Sequence, residues 1–190
     1  SRMDWSQYKL VLLPNVALMD SETRKRILLT WKESNSTYFV AEGNFATYSS
    51  DGQSSYNPPE GLVEKIGVRI SDCSAITKVD IENGENVFKT EFCDAIAEIP
   101  CSYAILEPQG DTVPIASYEG KTVGIRTADR RFSWFSFSLT TGFGNAANTE
   151  LLSGLLKELK IHPEVLVSNS KVVPMVRYSQ KRGWLVFLLN

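Results

Sequence analysis

The chain contains one histidine, His162, which lies two residues before Glu164 in the segment IHPEV (161–165). A histidine that a carboxylate orients can act as the general base for a nucleophilic cysteine or serine. The spacing of His162 and Glu164 is therefore compatible with the base and the orienting group of a catalytic triad. Such a triad also needs a nucleophile on a sharp turn after a strand, together with oxyanion donors nearby.

The elements that would have to complete this triad do not supply its other members. The strand TYFVAEG (37–43) would lead into the nucleophile turn, but the turn reads EGNF and contains no Cys, Ser or Thr. The loop LPNVALMD (13–20) has no glycine with which to form an oxyanion hole. His162 follows a predicted helix, and Pro163 prevents that helix from continuing. We therefore interpret IHPEV as a helix stop and predict no catalytic residue in this chain.

Composition and charge exclude several other classes of protein. The 190 residues carry a formal net charge of −2, which favours neither nucleic acid nor an anionic membrane as a partner. No apolar run has the length of a membrane-spanning helix. No glycine-rich loop matches a phosphate or dinucleotide fingerprint, so we predict no cofactor.

The three cysteines, Cys73, Cys93 and Cys101, form neither a disulfide framework nor, with one histidine, a zinc set. We therefore predict no metal site. Unpaired thiols are typical of a reducing compartment, so we expect a cytoplasmic location.

The first 43 residues predict a strand, a helix and a second strand. The run YKLVLLP (8–14) is nearly continuous in apolar residues, which is typical of a strand buried on both faces. Asp20 is a good N-cap for a helix over 21–34, whose apolar face contains Ile27, Leu28 and Trp31. The run TYFVAEG gives the second strand. A βαβ unit with a parallel strand pair is therefore expected.

The rest of the chain predicts a polar loop, short strands and a late helix. The loop over 44–60 contains Asp-Gly and Pro-Pro, and Gly67 closes a short helix after it. From residue 68, short strands joined by Asn-Gly, Gln-Gly-Asp, Glu-Gly-Lys and Asp-Arg turns favour a run of hairpins added to the parallel core. A leucine-striped helix is predicted over 148–161, capped by Asn148 or Thr149. The last twenty residues favour a hairpin that begins another domain.

A few side chains could contact a sugar. Glu42 lies at the end of the second buried strand, where a carboxylate usually pins a loop. Three aromatic residues of the long loop, Phe45, Tyr48 and Tyr56, could stack on a sugar or could form the loop's own small core. A carbohydrate-binding module is one alternative function. It would require one exposed aromatic platform, formed by Tyr48, Tyr56, Trp134 and Phe135.

Several of these segments together resemble a known domain. These segments are YKLVLLPNVALM with its following helix and strand, the loop SSDGQSSYNPPEGLVEKIGVR, the hairpin VPIASYEGKTVGIRTADRRFSWFSF, the helix ELLSGLLKELKIHPEV and the end VRYSQKRGWLVFLLN. Together they are similar to the trimerisation domain of family 42-type β-galactosidases and related hypothetical glycosyl hydrolases. The link ESNSTY departs from the paired glycines usual in that domain.

The resemblance implies a fold and a domain organisation. It implies an α/β fold, with a flavodoxin-like, class I glutamine amidotransferase-like mixed sheet flanked by helices, whose amidotransferase site is lost. Residues 1–165 would form this domain without its first strand and helix. Residues 170–190 would form the opening hairpin of a small C-terminal β domain. The start at Ser1 and the end within a strand-like run also suggest a piece of a longer protein.

The resemblance also implies a role. In such enzymes the catalytic carboxylates lie on a (β/α)₈ barrel, which takes about 250 residues and would lie outside this chain. The chain would then be a non-catalytic oligomerisation or accessory domain. Its partners would be copies of itself, as in a trimer, and the catalytic barrel of its parent, through which it would meet a carbohydrate substrate. Loop 44–60 would form a wall beside an active site. An amidotransferase-like enzyme is the least favoured alternative.

Overall fold

The structure is a computed structural model that describes residues 4–48, 62–139, 145–161, 173–179 and 183–189. Its contacts divide the chain into two compact units, Ser1–Leu155 and Leu156–Asn190. Residues 49–60 of the predicted loop 44–60, and residues 162–172 with His162, lie outside the described residues.

The first unit opens with a short 3₁₀ helix, Trp5–Gln7. Its further elements are β1 (Leu10–Pro14), α1 (Ser21–Glu33), β2 (Tyr38–Glu42), α2 (Leu62–Ile66), β3 (Val68–Ile76), α3 (Lys78–Asn83), β4 (Val87–Thr90), β5 (Asp94–Ile96), β6 (Cys101–Pro108), β7 (Val113–Tyr118), β8 (Lys121–Arg126), β9 (Phe132–Phe135) and α4 (Asn145–Glu158), which runs on into the second unit. The second unit also contains β10 (Val173–Ser179) and β11 (Gly183–Leu189).

The predicted strand–helix–strand unit is present. The side chain of Asp20 caps α1 by accepting a 2.6 Å hydrogen bond from the backbone N–H of Thr23, and Ile27 and Trp31 are buried. Strands β1 and β2 pair in parallel, as predicted. The expectation that the first strand is buried on both faces is wrong. Among the described strands β1 is the edge of its sheet, and Leu12 is 55% exposed.

The main sheet is mixed, as predicted. It has seven strands in the order β1-β2-β9-β8-β7-β4-β5. The pairs β1–β2 and β2–β9 are parallel, and the pairs from β9 to β5 are antiparallel. The parallel strands therefore form one end of the sheet, and the added strands form the other.

The prediction of a simple run of hairpins is only partly right. Strand β3 pairs with β6 in a separate two-stranded antiparallel sheet, so the turn at Gln109–Asp111 joins strands of two different sheets. By contrast, the turn at Glu119 and Gly120 joins β7 and β8, which are paired neighbours. Turn residues therefore marked where the chain reverses but not which strand it meets afterwards.

The segment around Asn83 and Gly84 was predicted as a strand and turn, but it forms helix α3. A capping box starts the helix: Thr77 Oγ1 accepts from the N–H of Asp80 at 3.3 Å, and Asp80 Oδ2 accepts from the N–H of Thr77 at 2.6 Å. Gly84 ends it with a φ of 77°. The Asn-Gly pair therefore ends a helix and does not form a hairpin turn. The hydrogen bonds of the capping box favour the helix more strongly than the weak alternation of apolar residues favours a strand.

Helix α4 begins at Asn145, three residues before the earlier of the two predicted caps. Asn148 and Thr149 therefore lie inside the helix, and the prediction that one of them caps it is wrong. The apolar stripe is confirmed, since Leu151 and Leu155 are buried. In the second unit β10 and β11 form the predicted antiparallel hairpin.

Aromatic rings form much of the core beneath the parallel strands. Trp31 of α1 stacks on Phe132 of β9, with ring centroids 5.2 Å apart and an interplanar angle of 10°. Phe45 contacts Phe132 and Trp134 at centroid distances of 5.4 and 5.7 Å. The turn that follows β2 is therefore anchored, through Phe45, on a rigid cluster.

Candidate functional site

A polar cleft lies at the carboxyl ends of the parallel strands β1 and β2. Its volume is about 360 Å³. It is lined by Pro14, Asn15, Glu42, Gly43, Asn44, Pro100, Cys101, Ser102 and Ser138. In open α/β sheets, ligands bind outside the carboxyl ends of parallel strands. Because of this position, the cleft is the candidate functional site.

The turn after β2 is sharp, and it is built around Gly43. The N–H of Gly43, whose φ is 62°, donates to the carbonyls of Phe135 at 2.9 Å and Phe137 at 3.1 Å. Its carbonyl accepts a 3.0 Å hydrogen bond from the indole of Trp134. A Cβ there would lie 2.7 Å from Asn15 Oδ1. The position suited to a nucleophile therefore holds a residue without a side chain.

Glu42 faces the cleft from the end of β2 and is only 4% exposed. Its Oε2 atom accepts a 2.5 Å hydrogen bond from the backbone N–H of Leu139. Its carbonyl accepts from the N–H of Asn15 at 3.1 Å. Glu42 thus ties the turn after β1, the end of β2 and the segment after β9 together, which is the loop-pinning role of a carboxylate at this position.

The thiol in the cleft is not activated. Burial raises the pKa of the Cys101 thiol, and the same cause raises the pKa of Cys73 and Cys93. Because the thiolate is the nucleophile, a raised pKa leaves little reactive sulfur at neutral pH. None of the three cysteines forms a disulfide. The only histidine of the chain, His162, lies outside the described residues.

The predicted aromatic platform is not formed. Trp134 and Phe135 are fully buried, which overturns the prediction that both are exposed in a sugar-binding surface. Phe45 is also fully buried, so this ring is part of the core and is not presented to a sugar. Tyr48 is 39% exposed, and Tyr56 lies outside the described residues.

A second groove, beside Trp31, was missed by reasoning from the sequence. It has a volume of about 440 Å³ and lies between α1, α2 and the turns at 109–112 and 127–129. Trp31 belongs to the apolar stripe of α1, and nothing in that pattern distinguishes it from an ordinary core residue. The groove exists because distant turns meet at this side chain.

Metal binding and membrane insertion find no support among the described residues. Within ranges 4–48, 62–139, 145–161, 173–179 and 183–189 no group of three or more His, Cys, Asp or Glu side chains could hold a metal ion. None of the helices in these ranges has the length and hydropathy that a membrane crossing requires.

Comparison by sequence gives no assignment: no protein-family model matches the chain, and no curated protein matches it. Comparison of structures gives a clear likeness. A β-galactosidase from Bacillus circulans sp. alkalophilus matches with a TM-score of 0.76 at 15% identity, over 100% of this chain and 28% of that one.

Other solved structures give similar values. A catalytic mutant of a GH42 β-galactosidase from G. stearothermophilus matches with a TM-score of 0.73 at 13% identity, over 93% of this chain and 25% of that one. A β-galactosidase from Rahnella sp. R3 matches with a TM-score of 0.71 at 14% identity, over 100% and 28%. The chain thus spans only 25–28% of these enzymes, and it has the fold of one part of them.

Proposed function

We propose that this chain is a non-catalytic domain of a glycoside hydrolase of the β-galactosidase type. The observation that carries the proposal is the match of its whole length to 28% of two of the β-galactosidases described above. A (β/α)₈ barrel takes about 250 residues, so the catalytic carboxylates of such an enzyme would lie outside these 190 residues.

The domain we propose is flavodoxin-like and related to class I glutamine amidotransferases, with the amidotransferase site lost. Three parallel strands, β1, β2 and β9, support this assignment, as does the sharp turn at Gly43 in the place of a nucleophile. We further propose that residues 1–165 belong to this domain and that 170–190 open a small β domain.

The role we propose is subunit contact, in a homo-oligomer such as a trimer and with the catalytic barrel. Support comes from the edge of the main sheet, where Leu12 of β1 is exposed, and from Tyr8 and Leu18, which precede and follow β1 in the chain and are also exposed. An uncovered apolar strand edge readily pairs with another chain or segment. A carbohydrate substrate would be bound by the parent enzyme, of which this chain would be one domain. We also propose a cytoplasmic location, because the three cysteines form no disulfide.

Light scattering after size-exclusion chromatography tests this role. We expect a mass that is a multiple of 21.2 kDa, three-fold for a trimer. Leu12→Lys should reduce the mass to that of one chain, since a charge on the β1 edge opposes pairing. Leu29→Lys is the matched control, because Leu29 is equally exposed on α1. A monomer at every concentration would contradict the proposed subunit contact.

The proposed parent is tested separately, by the size of the natural protein and by hydrolysis of p-nitrophenyl β-galactoside. An immunoblot with an antibody against this chain should reveal a band several times heavier than 21.2 kDa. The chain alone should not hydrolyse the substrate. A natural protein of 21.2 kDa would refute the glycoside hydrolase assignment.

A further inference from the structure

An apolar cavity, the α4 cavity, lies between helix α4 and the main sheet at β1 and β2. Its volume is about 160 Å³. Six apolar residues of the described part of the chain line it: Leu12, Leu13, Pro14, Val40, Leu139 and Leu152. Glu42 is the one polar residue in this lining. The α4 cavity therefore differs in character from the polar cleft, with which it shares Pro14 and Glu42.

One face of the sheet forms the floor of the α4 cavity. In the parallel register of β1 and β2, Leu12 pairs with Val40 and Pro14 pairs with Glu42. Paired residues of neighbouring strands, like alternate residues along one strand, point to the same face of a sheet. These four residues therefore share one face, and Leu152 of α4 lies across the cavity from them.

The walls of the α4 cavity are held in place by close packing. The buried Leu155 anchors α4, and a Cβ on Gly154 would lie 2.7 Å from Phe92 Cδ1. The N–H of Leu139 donates to Glu42 Oε2 at 2.5 Å, which holds the Leu139 wall against the end of β2. Because tightly packed elements resist collapse, the cavity is formed before any ligand arrives.

The α4 cavity has an accessible mouth and a buried end. Leu12 is 55% exposed and Pro14 is also exposed, whereas Val40 and Leu139 are 3% and 4% exposed. Leu152 is half-buried. Since β1 is the outermost described strand of its sheet, no described strand covers the mouth. A ligand would therefore enter past Leu12 and end against Val40 and Leu139.

The lining favours an apolar ligand over a polar one. A buried water needs several polar partners, and Glu42 is the only polar residue among the described ones that line the cavity. Its carboxylate already accepts the hydrogen bond from Leu139. The other lining side chains can neither donate nor accept, so a polar ligand would lose its hydrogen bonds to water without replacement.

The volume restricts the ligand to a small one. Pockets for drug-sized ligands measure about 300–1,000 Å³, whereas the α4 cavity measures about 160 Å³. An engineered apolar cavity of about 150 Å³ stays dry and binds benzene. The α4 cavity therefore has room for one benzene-sized ring or a hydrocarbon chain of similar volume.

We propose that the α4 cavity binds one small, uncharged apolar molecule of about the size of benzene. The molecule enters beside Leu12 and packs among Val40, Leu139 and Leu152. Binding is hydrophobic, because it removes apolar surface of both the ligand and the lining from water. This site does not depend on the proposed oligomeric role or on the proposed parent enzyme.

The test titrates benzene against the chain labelled with ¹³C in its methyl groups. We expect saturable shifts of the methyl resonances of Val40, Leu139 and Leu152, with half-saturation at about 1 mM. Pyridine has the same shape as benzene but accepts a hydrogen bond from water. It should bind at least about tenfold more weakly, because the lining side chains offer no donor in exchange.

Two changes at Leu152 test the position of the site. Leu152→Phe should abolish the shifts, because the larger side chain occupies the cavity from α4. Leu29→Phe is the matched control, at an exposed position of α1, and should leave the titration unchanged. Leu152→Ala enlarges the cavity and should admit naphthalene, which the parent chain should exclude. This variant keeps the test decisive if the Leu152→Phe chain does not fold.

Five outcomes would each overturn the proposal. Three concern the parent chain: no saturable shift with benzene up to its solubility limit, equal binding of pyridine and benzene, and loss of benzene binding as the chain is concentrated. Two concern the variants: an unchanged titration in a folded Leu152→Phe chain, and exclusion of naphthalene by a folded Leu152→Ala chain.

Failure of this site is distinguishable from failure of the proposed function. Loss of benzene binding on concentration would mean that a second copy fills the cavity, which would support the proposed subunit contact. The other four outcomes leave the light-scattering and immunoblot results untouched.

Discussion

A Cβ atom on Gly43 would lie 2.7 Å from the Oδ1 atom of Asn15. Gly43 follows β2 and Asn15 follows β1, so the contact joins the two turns at the carboxyl ends of the parallel strands. Asn15 Oδ1 also accepts a 3.2 Å hydrogen bond from the N–H of Asn44. This close approach leaves no room for the side chain of a nucleophile at the head of β2.

Gly43→Ala should destabilise the chain by about 2–3 kcal/mol, since a positive φ and a close contact act together. Urea unfolding measures the change in free energy. Gly120→Ala is the control: its φ is 77°, but nothing lies within 4 Å of the added Cβ. It should cost only about 1 kcal/mol. Equal losses in the two variants would contradict the contact with Asn15.

Glu42→Gln should lower the free energy of unfolding by about 1–2 kcal/mol, because a charge-assisted hydrogen bond to the N–H of Leu139 becomes a neutral one. Thermal and urea unfolding check this. Glu107→Gln, at an exposed position on β6, should change stability little. A Glu42→Gln chain of unchanged stability would mean that Glu42 does not pin the loops.

Trp134→Ala should cost about 3–5 kcal/mol, as truncation of a fully buried tryptophan does. It also removes the hydrogen bond to the Gly43 carbonyl. Tyr48→Ala serves for comparison, because Tyr48 is 39% exposed and should cost much less. A Trp134→Ala chain with full stability and lost sugar binding would restore the aromatic platform that the structure rejects.

Lowering the pH should reduce the free energy of unfolding, because it protonates the Asp129 carboxylate. Burial opposes ionisation of this carboxylate, but hydrogen bonds from Thr127, Trp31 and the Arg131 backbone outweigh it, so its pKa lies below the ordinary 3.8. A lowered folded-state pKa gives stability that is present above the ordinary value and is lost as the pH falls through the folded value.

Urea unfolding at a series of pH values between about 6 and about 2 checks this dependence. Asp129→Asn should be less stable at neutral pH and should lose less stability below pH 3.8 than the parent chain. Asp111→Asn, on an exposed turn, should retain the parent's dependence. The same acid-induced loss in the Asp129→Asn chain would show that another carboxylate is responsible. Asp129 is partly exposed, so solvent screening keeps the effect small.

Structural features that depend on residues close together in the sequence could be predicted from it. The Asp20 cap, the apolar stripe of α1 and the turn at Gly67 all depend on bonds or spacings within a few residues. Helix α3 was not predicted from the sequence, although its signal, the Thr77–Asp80 capping box, spans only four residues. The residues EGNF at the head of β2 are sufficient to indicate that this turn carries no nucleophile.

The sequence by itself thus determined the early strand–helix–strand unit, the mixed character of the sheet and the absence of a nucleophile at the β2 turn. Only the tertiary structure decided that β1 lies at an edge, that β3 leaves the main sheet to pair with β6, and that Trp134 is buried. It also decided that Lys65, Gln109 and Asp129 line one groove with Trp31. The physical reason is that capping and periodicity act over a few residues, whereas burial and strand partnership depend on segments about a hundred residues apart, such as Trp31 and Asp129.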